Sequence, residues 1–285
     1  MLLRLCAGGV GGLGGVGAAS AYVREVEPFW PTVERHEMDF PQLDPALVGL
    51  RLAQLSDLHL YYNTGAEYLG AQIQRCMSLS PDVIVLTGDF ITRADGRYLG
   101  SLTDLVSKLQ APLGVFAVLG NHDWAVFEGG HRPASSALAD RMEQTLTEGG
   151  VQVLRNRRHV LTRAGAALQL VGLDDLWSGR CAPEVAFEDV DPDLPTIVLA
   201  HNPDTIDLLK NRPGDWILCG HTHGGQVRLP LYGAIVVPVQ NRRFDAGLFR
   251  VAGKRLYVNR GLGFVWQVRF NCRPEITLFT LTRRA

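Results

Sequence analysis

Lysine is scarce in this 285-residue chain, only Lys108, Lys210 and Lys254, whereas arginine is abundant, a skew we read as genomic codon bias rather than as a phosphate-binding surface. The formal net charge is -1 and no long run of one sign occurs, so the chain offers no basic groove for a nucleic-acid backbone and no nucleic-acid partner is expected. Any recognition of phosphate must therefore be local. The cysteines Cys6, Cys76, Cys181, Cys219 and Cys272 form no CxxC pair and are odd in number, which excludes a zinc ribbon and a complete disulfide framework. No internal repeat is visible. With 46% hydrophobic residues the chain can fill a full core, and a single compact catalytic domain is the default reading.

The beginning of the chain differs in kind. Residues 5–22 carry no charge and are rich in Gly, Ala and Val, with Arg4 just before them. We read 1–22 as a signal peptide or membrane anchor; Ala19-Ser20-Ala21 offers a small-x-small cleavage site, and the stretch is also long enough to stay as a thin anchor. The protein is thus expected to be membrane-associated or exported, with the side of the membrane left open. The run Gly9-Val10-Gly11-Gly12-Leu13-Gly14 fits the dinucleotide pattern GxGxxG, but no strand precedes it and glycine repeats produce such matches by chance. Residues 23–48, with Pro28, Pro31, Pro41 and Pro45 among mixed charges, suit an extended linker, which places the catalytic domain at 49–285.

From there short apolar runs recur: Leu50–Leu55, Val83–Leu86, Val115–Leu119, Leu168–Val171, Thr196–Leu199, Trp216–Leu218 and Leu256–Val258. Each has the length and bounding residues of a buried strand. Helical patterns lie between several of them, at Tyr68–Leu79, Leu99–Leu109 and Ala134–Thr147. Later strands at Gln226–Leu229, Ala246–Val251 and Glu275–Leu281 are closely spaced, which favours an α/β protein with two sheets over a purely parallel one.

The chemistry sits just past the ends of these runs. The first three lead to Ser56-Asp57-Leu58-His59, Thr87-Gly88-Asp89 and Gly120-Asn121-His122-Asp123; two later ones lead to His201-Asn202-Pro203-Asp204 and Gly220-His221-Thr222-His223-Gly224-Gly225. Ligand crevices of open α/β sheets lie at the carboxyl ends of strands, so these five loops could meet at one rim. Carboxylates, imidazoles and an amide oxygen suit Mn, Fe or Zn, and one Asp can bridge two ions. The glycines beside Asp89, Asn121 and His221 are expected to let the backbone turn tightly. His59, His122, His201, His221 and His223 all fall in these loops; His36, His131 and His159 do not and read as structural or solvated.

Asp57-x-His59, Gly88-Asp89, Gly120-Asn121-His122-Asp123, His201 and Gly220-His221-x-His223 together resemble the full signature of the calcineurin-like metallophosphoesterases, every block in order. Gly224-Gly225-Gln226, Asn259-Arg260-Gly261-Leu262-Gly263 and Val268-Arg269-Phe270 resemble its bacterial membrane-associated phosphodiesterase branch, whose members include enzymes acting on UDP-diacylglucosamine. The resemblance implies a four-layer α/β/β/α sandwich with two mixed sheets. It also implies two divalent metal ions, with Mn favoured over Fe and Zn. One ion would be held by Asp57, His59, Asp89 and His223, the other by Asp89, Asn121, His201 and His221, with Asp89 bridging.

The expected reaction is hydrolysis of a phosphodiester or pyrophosphate bond, in a lipid-linked or nucleotide substrate, by a metal-bound hydroxide. His122, outside the family's ligand set, would stabilise phosphoryl oxygens or protonate the leaving alkoxide, with Asp123 either holding its imidazole or capping the loop. Asp174-Asp175 could accept from a ligand histidine or form a plain turn. Arg242, Arg243, Arg260 and Arg269 are candidates for a second phosphate, and Trp124, Phe127, Phe264 and Trp266 for an apolar rim; Arg260 and Trp266 are the expected substrate contacts. A nuclease, and a non-catalytic adaptor on the same fold, are the competing readings.

Overall fold

Three buried apolar layers organise the chain in the computed structural model, which describes residues 17–94, 96–127 and 133–283. The strands in chain order are β1 (Thr32–Phe40), β2 (Arg51–Leu55), β3 (Val83–Thr87), β4 (Val115–Val118), β5 (Gln152–Val153), β6 (Arg157–Arg163) and β7 (Ala166–Gly172). They continue with β8 (Thr196–Leu199), β9 (Trp216–Cys219), β10 (Arg228–Leu229), β11 (Gly233–Ala234), β12 (Gly247–Val251), β13 (Lys254–Val258) and β14 (Glu275–Arg283). Helices α1 (Ala66–Ser78), α2 (Leu99–Val106) and α3 (Ser136–Glu148) are amphipathic; α4 (Pro183–Ala186) and α5 (Ile206–Leu209) are single turns.

One sheet has the order β1-β14-β2-β3-β4-β5 and the other β12-β13-β9-β8-β7-β6. Each is mixed: β2, β3, β4 and β5 run parallel with β14 antiparallel beside β2, and β13, β9, β8 and β7 run parallel with antiparallel β12 and β6 at the edges. Alternation along each strand divides the side chains between layers. Leu52, Val83, Val85 and Phe116 meet Leu168, Leu170, Ile197 and Leu218 between the sheets. Their neighbours Ala53, Ile84 and Ala117 turn outward onto Leu69 and Ile73 of α1, Leu102 of α2 and Met142 of α3. On the far side Val198, Ile217 and Leu256 are covered by Ile206, Leu209 and Phe187. The chain is therefore an α/β sandwich with two mixed sheets between helical layers, as the sequence implied, although the second outer layer is thin.

The linker expected over residues 23–48 is corrected in one respect. Its central part is β1, paired parallel with β14 along its whole length, so the folded unit includes residues well before Gly49. Glu27 is buried as well, accepting from the backbone of Cys272. The charges of β1 hide its role: at the sheet edge Glu34, His36 and Glu37 stay partly or largely open while only Met38 and Phe40 are buried. An edge strand needs one apolar face at most. His36 packs against Tyr257, ring centroids 4.9 Å apart, and His159 against Phe116 at 4.7 Å, as structural histidines do. Most of the apolar segment 1–22, with Cys6, and also His131, lie outside the described residues. Among the described residues no helix is long and apolar enough to cross a membrane.

Candidate metal centre

The carboxyl ends of β2, β3 and β4 from one sheet and of β8 and β9 from the other meet at one rim, and each is followed by one of the five loops. Asp57, His59, Asp89, Asn121, His122, His201, His221 and His223 are all buried there. His59 Nε2 is 3.0 Å from His223 Nε2 and 3.4 Å from Asp89 Oδ2, and His223 Nε2 is 3.4 Å from Asp57 Oδ1. On the other side of Asp89, His201 Nε2 lies 3.2 Å from the same Oδ2 and 3.2 Å from His221 Nδ1. Donor atoms thus gather in the groups Asp57/His59/His223 and Asp89/His201/His221, and Asp89 also groups with His59 and His122, each set within 4.8 Å.

The backbone reaches this arrangement at a cost. Asp57, His59, Asp89, His221 and His223 have φ of 51°, 45°, 56°, 70° and 51°, the left-handed region that L-residues seldom enter. Each such residue reverses the chain just after a strand and throws its side chain into the crevice. The turning expected of the neighbouring glycines is partly reassigned: Gly88 does have φ +91°, but Gly120 and Gly220 have no positive φ and serve instead as points of close approach. A Cβ on Gly220 would run into Ser56 Oγ and Asp57 Oδ2. Gly220→Ala is therefore expected to lower stability by about 1–3 kcal/mol, the usual result of overpacking, as read from thermal unfolding. An unchanged Tm would mean that Ser56 and Asp57 move aside freely.

Hydrogen bonds fix most of the imidazoles. His201 Nδ1 sits 2.7 Å from Thr87 O and His221 Nε2 2.9 Å from Pro238 O, which leaves the opposite ring nitrogens for each other and for Asp89. Ser56 Oγ donates to Asp57 Oδ2 at 2.6 Å and in turn accepts from Thr87 Oγ1. The loop after β13 closes the floor: Leu262 N and Gly263 N donate to the carbonyls of Ser56 and Asp57. Burial pushes His59 down to about 4 and His221 down to about 3, and lowers His223, so these rings stay neutral, the ligating form. Burial pushes the Asp57 carboxyl up to about 7. His201 behaves oppositely: burial alone would lower it, but the Asp89 carboxylate lifts it to about 10.

These features fit a cation. Asn121 Nδ2 donates to Val126 O, which leaves Asn121 Oδ1 a buried acceptor with no donor; His59 Nδ1 and His223 Nδ1 also lack partners. Imidazole, carboxylate and amide oxygen buried together are the donors that borderline divalent ions take.

His122 lies at the mouth, 8% exposed, with Nδ1 2.8 Å from Thr92 O and Nε2 4.0 Å from Asp89 Oδ2; Phe127 stands edge-on against its ring at 4.9 Å. Asp123 does not hold that ring. It accepts from the backbone N–H of Asp89, Phe90 and Gly120 at 2.9, 2.9 and 2.8 Å, tying the loops after β3 and β4 together, so its expected catalytic part is corrected to a structural one. Asp174 accepts from Arg155 Nε and Asp175 from Ser178 N, each through Oδ2 with Oδ1 buried and unpartnered, and the Asp175 charge adds to the lift on His201.

Of the expected substrate contacts, Arg260 is committed to Glu34 at 2.6 Å, Glu275 at 2.8 Å and the carbonyl of Arg273, so it braces β1 against β14 and is corrected to a structural role. Trp266 is exposed, its carbonyl accepting from Gln226 Nε2. Arg269 is fully buried and donates to the carbonyls of Cys272, Arg260, Gly261 and Gly263, holding the loop under Asp57. Trp124 and Phe264 are buried, not rim residues. Sequence reading missed Ser56, Thr92 and Trp177, whose ring meets His221 edge-on at 4.5 Å; the serine directly before Asp57 was the one legible signal.

Residues 50–225 match the Metallophos family, described as calcineurin-like phosphoesterase. Phosphodiesterase YaeI of Escherichia coli (strain K12) is 35% identical over 260 residues, covering 91% of this chain and 92% of that protein. UDP-2,3-diacylglucosamine pyrophosphatase LpxG of Chlamydia trachomatis serovar D is 34% identical over 299 residues, with 90% and 91% covered. Metallophosphoesterase YkuE of Bacillus subtilis (strain 168) is 34% identical over 263 residues, with 91% and 88% covered.

Proposed function

Because this chain belongs to the calcineurin-like metallophosphoesterases and is a phosphoric ester hydrolase, we propose that it cleaves phosphodiester or pyrophosphate bonds of a lipid-linked or nucleotide substrate at a centre for two divalent ions. The observation that carries this reading is the pair of donor groups on either side of Asp89. Asp57, His59, Asp89 and His223 would hold one ion and Asp89, Asn121, His201 and His221 the other. Manganese, iron and zinc all suit a set that mixes imidazole, carboxylate and amide oxygen and has no thiolate, and manganese is the ion proposed. The chemistry supplied by two bound divalent ions is activation of water and neutralisation of phosphoryl charge.

The chain's own groups do the rest. His122, with Nδ1–H given to Thr92 O, keeps Nε2 free to stabilise a phosphoryl oxygen or to pass a proton to the leaving alkoxide. Asp89 Oδ1 accepts from His122 N at 2.9 Å, so the bridging candidate and the proton carrier are set by one contact. The pyrophosphatase activity in the name of LpxG, and the phosphodiesterase activity in that of YaeI, support the bond types. The uncharged stretch 5–22 supports a place at or beyond a membrane.

The purified full chain should hydrolyse a generic aryl phosphodiester in added manganese, stop on chelation and resume when manganese is restored. On UDP-2,3-diacylglucosamine, release of UMP would assign the pyrophosphate bond. Bound metal without hydrolysis of either compound would favour an adaptor, and cleavage of DNA with steep loss at rising salt would favour a nuclease.

A further inference from the structure

Part of the exposed apolar surface is gathered in one short stretch of the chain. Leu229, Leu231, Tyr232, Ile235 and Val236 are all exposed, and all belong to the β10–β11 hairpin or the residues just after it, Leu231 fully and Tyr232 by 72%. Single exposed apolar residues are ordinary, but a contiguous set on one projection marks an interaction surface. Residues 229–241 contain no charged side chain and are bracketed by Arg228 and by Arg242-Arg243.

The hairpin adjoins two other apolar features. At its root, Gln226 Nε2 donates to the carbonyls of Trp266 and Val268 and Arg228 N donates to Phe270 O, so the segment carrying Trp266, 73% exposed, lies alongside. Arg269 N donates to Val23 O and Gln267 Nε2 to Arg24 O, which brings the segment holding exposed Tyr22 and Val26 to the same edge. That segment continues the uncharged sequence 5–21. The hairpin also walls the metal centre: it springs from the turn after His223 and returns through Pro238, whose carbonyl meets His221.

We propose that the β10–β11 hairpin, with Trp266 beside it, is a wedge that enters the headgroup and acyl boundary of an anionic phospholipid bilayer, so that the mouth of the metal centre faces the membrane surface. Aromatic rings beside aliphatic tips suit that boundary. Exposed Arg242, whose Nη2 donates to Ile235 O at 2.6 Å, and exposed Arg243 place cations at the base of the wedge, where anionic headgroups would meet them. This contact stands apart from the catalytic reading and needs only the fold.

The test uses the full chain with vesicles of phosphatidylethanolamine and phosphatidylglycerol that contain a phospholipid bearing a diazirine on its acyl chain. After photolysis and trypsin, adducts are expected in the peptide 229–242, and Leu231→Asp with Val236→Asp should lower that labelling by about tenfold while leaving hydrolysis of a soluble aryl diester unchanged. Adducts confined to residues before Arg24 would overturn the proposal. So would a dimer in lipid-free solution that Leu231→Asp dissociates, which would assign the hairpin to a second copy of the chain. If the double variant does not fold, labelling of the wild-type peptide decides alone. Loss of the catalytic reading would appear separately, as absent hydrolysis by the wild type with 229–242 still labelled.

Discussion

Asp89→Asn is expected to purify folded, with neither ion retained and turnover lower by roughly 10³-fold or more, since the site's chemistry depends on both ions together. Among the described residues, Asp89 is the one carboxylate that groups with donors on both sides of the site. Its Oδ2 lies 3.4 Å from His59 Nε2 and 3.2 Å from His201 Nε2, while Oδ1 accepts from His122 N. Asparagine has the same shape and can keep that last hydrogen bond, so the loop geometry should survive. What disappears is the negative charge between the two sets of imidazoles, and with it the carboxylate that would serve both cations. Metal content by mass spectrometry and the rate on an aryl diester, measured on one preparation, check this. Two ions retained at near-normal rate would remove Asp89 from the bridging position and sink the proposed ligand assignment.

His122→Ala is expected to separate the two properties that Asp89→Asn destroys together. The ions should remain, and kcat should fall by roughly 10²–10⁴, the range for a lost acid or charge-stabilising group. The geometry makes this sharp because His122 is ambiguous by distance: it groups with His59 and Asp89 as a donor, yet its Nε2 is 4.0 Å from Asp89 Oδ2, farther than His59 or His201. It is also the more open side chain, at the mouth against Phe127. Metal analysis distinguishes the alternatives. Loss of an ion in His122→Ala would make His122 a ligand and leave proton transfer to some other group.

Much of this site could be read from the chain because the relevant signal is local. An apolar run followed at once by Asp-x-His, Gly-Asp or Gly-Asn-His needs no tertiary information to be noticed, and β2, β3, β4, β8 and β9 end where those runs end. Strands β1 and β6 escape such reading, because both are edges whose charged faces break the apolar pattern, as in Arg157-Arg158-His159. Roles that depend on partners distant in sequence are also hidden from it. Asp123 sits beside His122 in sequence but spends its oxygens on backbone groups, two of them from the loop after β3, and Arg260 is claimed by Glu34 on β1, 226 residues away in sequence. A side chain's neighbours in sequence say little about which of two charges it will meet. Nor could the left-handed backbone at Asp57, His59, Asp89, His221 and His223 be foreseen, since such φ values normally favour glycine.

Strand β14 lies between β1 and β2, pairing residues 275–283 with residues 32–40 on one side and residues 277–280 with 51–54 on the other. During synthesis, then, the first sheet waits with two unpaired edges while the whole of the second sheet is added. Until residues 275–283 leave the ribosome, β1 has no partner and the outer side of β2 is bare, the exposure that invites pairing with another chain. The charges on β1 that hide it from a reading of the sequence are the residues that would guard it in that interval. The same wait governs the chemistry: Arg269 and the loop it secures under Asp57 are translated just before β14, so a nascent chain cannot present a finished centre to a passing ion before its sheet is nearly closed.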